Sequence, residues 1–133
     1  MELDQYQRFV ESVTSPEANN LEIFIKRLRE LEKTSDVNLT LLLNSAAGLT
    51  AEGGEFTELP KKIFWQGKPL DEATIFHMKR ELGDIIFYWM NACRALNLDP
   101  QEVIDENHNK LTSRYSDGKF KVEQSENRKQ GDI

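Results

Sequence analysis

Residues 71–97 read DEATIFHMKRELGDIIFYWMNACRALN. Asp71 suits a helix N-cap, and Ile75, Phe76, Met78, Leu82, Leu96 and the run from Ile85 to Met90 make this the most apolar helical stretch of the chain. A helix apolar around most of its circumference belongs at the centre of a bundle. The preceding WQGKPLD of residues 65–71 is a loop broken by Gly67 and Pro69. Before it, a helix starting at Leu39 opens with Leu41-Leu42-Leu43, passes Ala46-Ala47-Gly48 and continues into AEGGEFTELP at residues 51–60. Further upstream, Asn20 caps a helix with Leu21, Phe24, Ile25, Leu28 and Leu31 on one stripe. The first helix carries Leu3, Tyr6, Phe9, Val10 and Val13 and ends at Ser15-Pro16, since a residue before proline avoids helical angles. On the other side, Asp99-Pro100 opens a last helix that runs to about Tyr115 on Val103, Ile104 and Leu111. The stretch from Ser116 onward is polar and aperiodic, the pattern of a mobile tail. The expectation is an all-α bundle of four to five helices, one domain over residues 1–115 and a tail over 116–133.

Composition agrees with one domain: 133 residues, 38% hydrophobic and 30% charged. The 17 basic against 23 acidic side chains leave a formal charge of −6, which argues against nucleic acid as a partner. The single Cys93 excludes an internal disulfide framework and a cysteine-based zinc site. No charged-then-apolar leader opens the sequence, and the apolar run from Ile85 to Met90 is too short to span a bilayer. The expectation is a cytoplasmic protein with no membrane partner.

The carboxylates carry the chemistry. Glu52, Glu55 and Glu58 stand three apart and form one acidic ridge. Glu81 and Asp84 repeat the spacing on the apolar helix, with His77, Ile85 and Tyr88 a turn away. An acidic helix face is ordinarily just solvated. Here like charges disfavour the helix by roughly 0.2–0.5 kcal/mol per pair. Gly53 and Gly54 lie inside the ridge, each weakening it by about 1 kcal/mol relative to alanine. Their presence predicts that something approaches the backbone closely. Two ionised carboxylates on a mostly apolar surface need a compensating cation. Facing pairs on two helices would make an all-oxygen site suited to Mg²⁺ or Mn²⁺, and such an ion suggests a phosphate-bearing ligand.

Glu52-x-x-Glu55 followed after 25 residues by Glu81-x-x-Asp84 resembles the ExxE…ExxD signature of the MazG-like all-α nucleoside triphosphate pyrophosphatases. The resemblance spans about residues 39–115. It includes Gly48-Leu49, Lys61-Lys62, Glu81-Leu82-Gly83-Asp84-Ile85 and the closing Asn107-x-x-Lys110-Leu111-x-x-Arg114-Tyr115. The segment from Phe64 to Asp71 and the short layout look most like phage-borne versions, which would place the chain in a host cytoplasm. The resemblance implies Mg²⁺-dependent hydrolysis of (d)NTPs to monophosphate and pyrophosphate, with water attacking the α-phosphorus, in nucleotide-pool control or house-cleaning. It implies that Glu52, Glu55, Glu81 and Asp84 hold the metal, with Glu52 or Glu55 as catalytic base. It further implies that Lys62, Lys110 and Arg114 contact phosphates, with Asn107 and Tyr115 nearby. A homodimer or homotetramer is expected, from the apolar helix and from the resemblance. Two departures stand out: Glu58 adds a carboxylate that is a further ligand, a base or a surface residue, and Pro60 falls where the family continues a helix. Rival readings are the same fold acting on phosphoribosyl-ATP or an alarmone, and a non-catalytic Mg²⁺ and nucleotide binder.

Other residues read blandly. Asp105 and His108 lack the second carboxylate–histidine pair that a di-iron bundle requires. His77 is within reach of Glu81 but reads as a helix-surface histidine, and Cys93 as a small core side chain. Trp65, in a loop near the acids, is a better candidate than Trp89 for stacking on a base. Lys26, Arg27 and Arg29 read as a solvated face.

Overall fold

The helix starts are set by the caps that the chain supplies. Asn20 accepts hydrogen bonds from the amides of Glu22 and Ile23, Asn38 from Leu41, Asp71 from Thr74 and Asp99 from Gln101. The computed structural model describes residues 2–127. Among them it has no strand and seven helices: α1 Leu3–Val13, α2 Pro16–Asn19, α3 Leu21–Thr34, α4 Leu39–Gln66, α5 Glu72–Ala95, α6 Pro100–Arg114 and α7 Val122–Glu126. The all-α expectation holds. The short α2 was not anticipated: the Ser15-Pro16 pair that ends α1 also starts it, Ser15 capping Ala18 with Pro16 at the first position. The helix α4 runs through Pro60 to Gln66. It stops where Gly67 adopts φ 72 and the Lys68 amide returns to the Lys62 carbonyl at 3.1 Å, a glycine-terminated helix end. In the stretch read as a tail, α7 forms; residues 128–133 lie outside the described part.

The extensive tertiary contact is that of α4 with α5. Their antiparallel ends are pinned: the Asn38 amide donates to the Ala95 carbonyl at 2.9 Å, and the Asn97 side chain donates to the Asp36 carbonyl at 2.9 Å. Small and polar residues form the buried seam, with Ser45, Gly48 and Leu59 on α4 and Thr74, Glu81, Asn91, Cys93 and Ala95 on α5. Gly48 shows why the helices approach so closely, since a Cβ there would fall 2.2 Å from the Tyr88 ring. At Gly53 and Gly54 a Cβ would meet nothing within 4 Å. Within this chain the close helix approach is therefore at Gly48, and no atom of the chain fills the space at Gly53 and Gly54.

The large apolar side chains of α5, expected at the centre of a bundle, are not covered by their own chain. Phe76 is 60% and Phe87 59% exposed, and Ile75 and Ile86 are similar. One neighbouring helix covers one stripe, and α5 is apolar well beyond a stripe. The α1 stripe of Leu3, Tyr6, Phe9, Val10 and Val13 is also exposed. The chain exposes 10894 Å². A compact monomer of 15.4 kDa would expose roughly 7,000 Å². No helix among the described residues is long and apolar enough to cross a membrane.

Gly48→Ala should destabilise the protein although alanine is the better helix former. The helix gains about 1 kcal/mol, but the Tyr88 ring must move, and overpacking costs roughly 1–3 kcal/mol or more. A lowered midpoint in denaturant melts checks this; an unchanged or raised midpoint would show that the seam yields freely.

Candidate functional site

Helical spacing places Glu52 and Glu55 on one face of α4 and Glu81 with His77 and Ile85 on one face of α5. Packing of the two helices brings an oxygen of Glu52, of Glu55 and of Glu81 within 4.8 Å of one another. Asp84 stands outside that group, yet its charge still reaches Glu52. Glu81 is the buried member, Glu52 half-buried and Glu55 exposed. His77 Nε2 lies 2.9 Å from Glu81 Oε1 in an i,i+4 pair, with the ring more than half exposed. The histidine is thus both a surface side chain and a partner of the buried acid.

Partial burial, then the negative charges of Glu55, Asp84 and Glu81, push the Glu52 carboxyl above its ordinary value. The cluster thus carries more negative charge than its surroundings balance. Three oxygen donors on two rigid helices fit a hard divalent cation such as Mg²⁺ or Mn²⁺. Glu58 behaves differently. Its carboxylate pairs with Lys61 and, at 3.2 Å, with Lys62, and their hydrogen bonds hold it below the usual carboxylate range. The ridge of three glutamates therefore splits into a cluster of two with Glu81 and a separate ion-paired residue.

Beside the acids lies an open cavity of about 660 Å³. Leu49, one turn before Glu52, and Ile85, one turn after Glu81, join Trp89 in its wall, and Glu106, Asn107 and Lys110 of α6 supply polar groups. Arg114 stacks against Tyr115 with its guanidinium 6.0 Å from the ring centroid, and Tyr115 in turn meets Phe120. Trp65 is 78% exposed and leans on Phe64 at the end of α4, while Trp89 lines the cavity. Of the two tryptophans, Trp89 is the one that lines this cavity. Helical phase explains it: Trp89 lies four residues beyond Ile85 on the same face of α5, a relation readable from spacing.

The MazG nucleotide pyrophosphohydrolase domain model matches residues 42–118, more than half of the chain and all of the acid cluster. No curated protein and no solved structure matches it.

The raised Glu52 carboxyl fixes the sign of a pH effect. An acid that protonates more readily folded than unfolded destabilises the fold as pH rises from its unfolded value through the raised one. Without divalent cations, Glu52→Gln should therefore melt higher than the parent at pH 7. The difference should vanish below the ordinary carboxylate value, where both forms are neutral. Paired thermal melts in EDTA test it, and a variant less stable at pH 7 would refute the electrostatic account.

Proposed function

The chain belongs to the MazG nucleotide pyrophosphohydrolase family, and on that footing we propose that it hydrolyses (deoxy)nucleoside triphosphates to the monophosphate and pyrophosphate. The observation that carries this reading is the convergence of Glu52, Glu55 and Glu81 inside the matched segment. These three, with Asp84 closing in from the next turn of α5, would hold Mg²⁺. Such an ion, when bound, would neutralise triphosphate charge and lower the pKa of a nearby water. The chain's own residues do the rest. Glu52 or Glu55 takes the proton from the water that attacks the α-phosphorus, because a carboxylate is the acceptor the cluster offers. Lys110 and Arg114 donate charge-assisted hydrogen bonds to the phosphates, and Asn107 to sugar or phosphate. Lys62 joins them by leaving its pair with Glu58. The nucleoside then extends along the Trp89 wall of the cavity. The uncovered faces of α5 and α1 support assembly as a homodimer or homotetramer in the cytoplasm. The exposed surface exceeds that of a compact monomer by about half, a quantity suited to obligate association.

Two measurements test this. Pyrophosphate release from a (d)NTP panel should require Mg²⁺, stop in EDTA and yield monophosphate. Glu55→Gln should lower kcat by roughly 10²–10⁴-fold if it removes the base, or abolish turnover if it empties the metal site, with the melting point kept in either case. Silence across the panel from folded, Mg²⁺-binding protein would refute the activity. Sedimentation equilibrium should return two or four times 15.4 kDa; a single-chain mass would refute the assembly.

A further inference from the structure

Glu81 is the one carboxylate among the described residues that is buried, at 7% exposure. A buried carboxylate needs hydrogen bonds to keep its charge, and here the donor is His77, with Nε2 2.9 Å from Oε1. The bond runs along α5 from one turn to the next, so it survives any rearrangement that leaves the helix intact. Its effect on the site is geometric. A glutamate has three side-chain torsions, and the last is broad and weakly preferred. Engaging Oε1 fixes that torsion and keeps the carboxylate plane where one of its oxygens comes within 4.8 Å of an oxygen of Glu52 and of Glu55. Among the described residues of α4, Lys61 and Lys62 are engaged with Glu58 rather than with Glu52 or Glu55. The site therefore has one anchored acid and two adjustable ones.

We propose that His77 is a positioning residue: by donating to Glu81 Oε1 it holds the buried carboxylate in the orientation that accepts a divalent cation. This rests on the reading of Glu52, Glu55 and Glu81 as a cation site. Carboxylates that bind metals are commonly oriented by an outer hydrogen bond, and removing one weakens metal affinity by about 10- to 100-fold. The ring is 57% exposed, so its loss leaves no hole in the seam. The role asks for an N–H at that reach and no more, and a glutamine amide supplies one.

The test is Mn²⁺ affinity of the full chain without nucleotide, read by electron paramagnetic resonance of the free ion. Wild type, His77→Ala, His77→Gln and Glu81→Gln are compared, with thermal melts as a folding control. The expected result is weakening on the order of tenfold in His77→Ala, recovery to near the wild-type value in His77→Gln, and loss of binding in Glu81→Gln. Equal affinity in wild type and His77→Ala overturns the positioning role while leaving the cation site standing. Equal loss in the alanine and glutamine variants also overturns it, by making the imidazole itself a ligand. Failure of the wild type to bind Mn²⁺ removes the cation reading and the proposal together.

Discussion

Everything functional in this chain depends on how closely α4 can lie against α5. The contact is made by small residues and by one glycine, Gly48, whose missing side chain is replaced by the Tyr88 ring. That approach sets the separation of the two helices at their middle, and the acids sit one turn beyond it. Like-charged carboxylates repel, so no attraction among Glu52, Glu55 and Glu81 draws the helices together. They are held by the seam and by the pinned ends at Asn38 and Asn97. The fold places the acids against their own electrostatic preference, which is the condition for a site that a cation completes.

The same hairpin explains why the chain is poorly covered by itself. Among the described residues the buried hydrophobic ones are Leu59, Cys93 and Ala95, a small core. Phe76, Ile86 and Phe87 project from the side of α5 that α4 does not touch. A functional site built on rigid helices needs those helices fixed, and a thin intrachain core does that weakly. Catalysis and assembly are thus coupled in the proposed function: the surfaces that associate belong to the helices that hold the acids.

Charge is partitioned along one helix. Glu55 and Glu58 are neighbours on α4, yet Glu58 is neutralised by Lys61 and Lys62 while Glu52 and Glu55 face Glu81. The ion pair insulates the cluster from a further negative charge.

The starts of α3, α5 and α6 were legible in the sequence because Asn20, Asp71 and Asp99 cap them locally whatever the rest of the chain does. Spacing likewise put Glu52 with Glu55 and Glu81 with Asp84, since helical phase is a local property. Packing decided what local rules cannot express. It brought Glu81 rather than Asp84 into the tight cluster, and set the close helix approach at Gly48. It set Trp89 on the cavity wall, and it buried Glu81, so that the local pair with His77 joins a surface ring to a buried acid. The physical reason is common to all of them. A sequence fixes the direction in which a side chain leaves its helix, whereas its neighbour depends on the rotation and depth at which a second helix arrives.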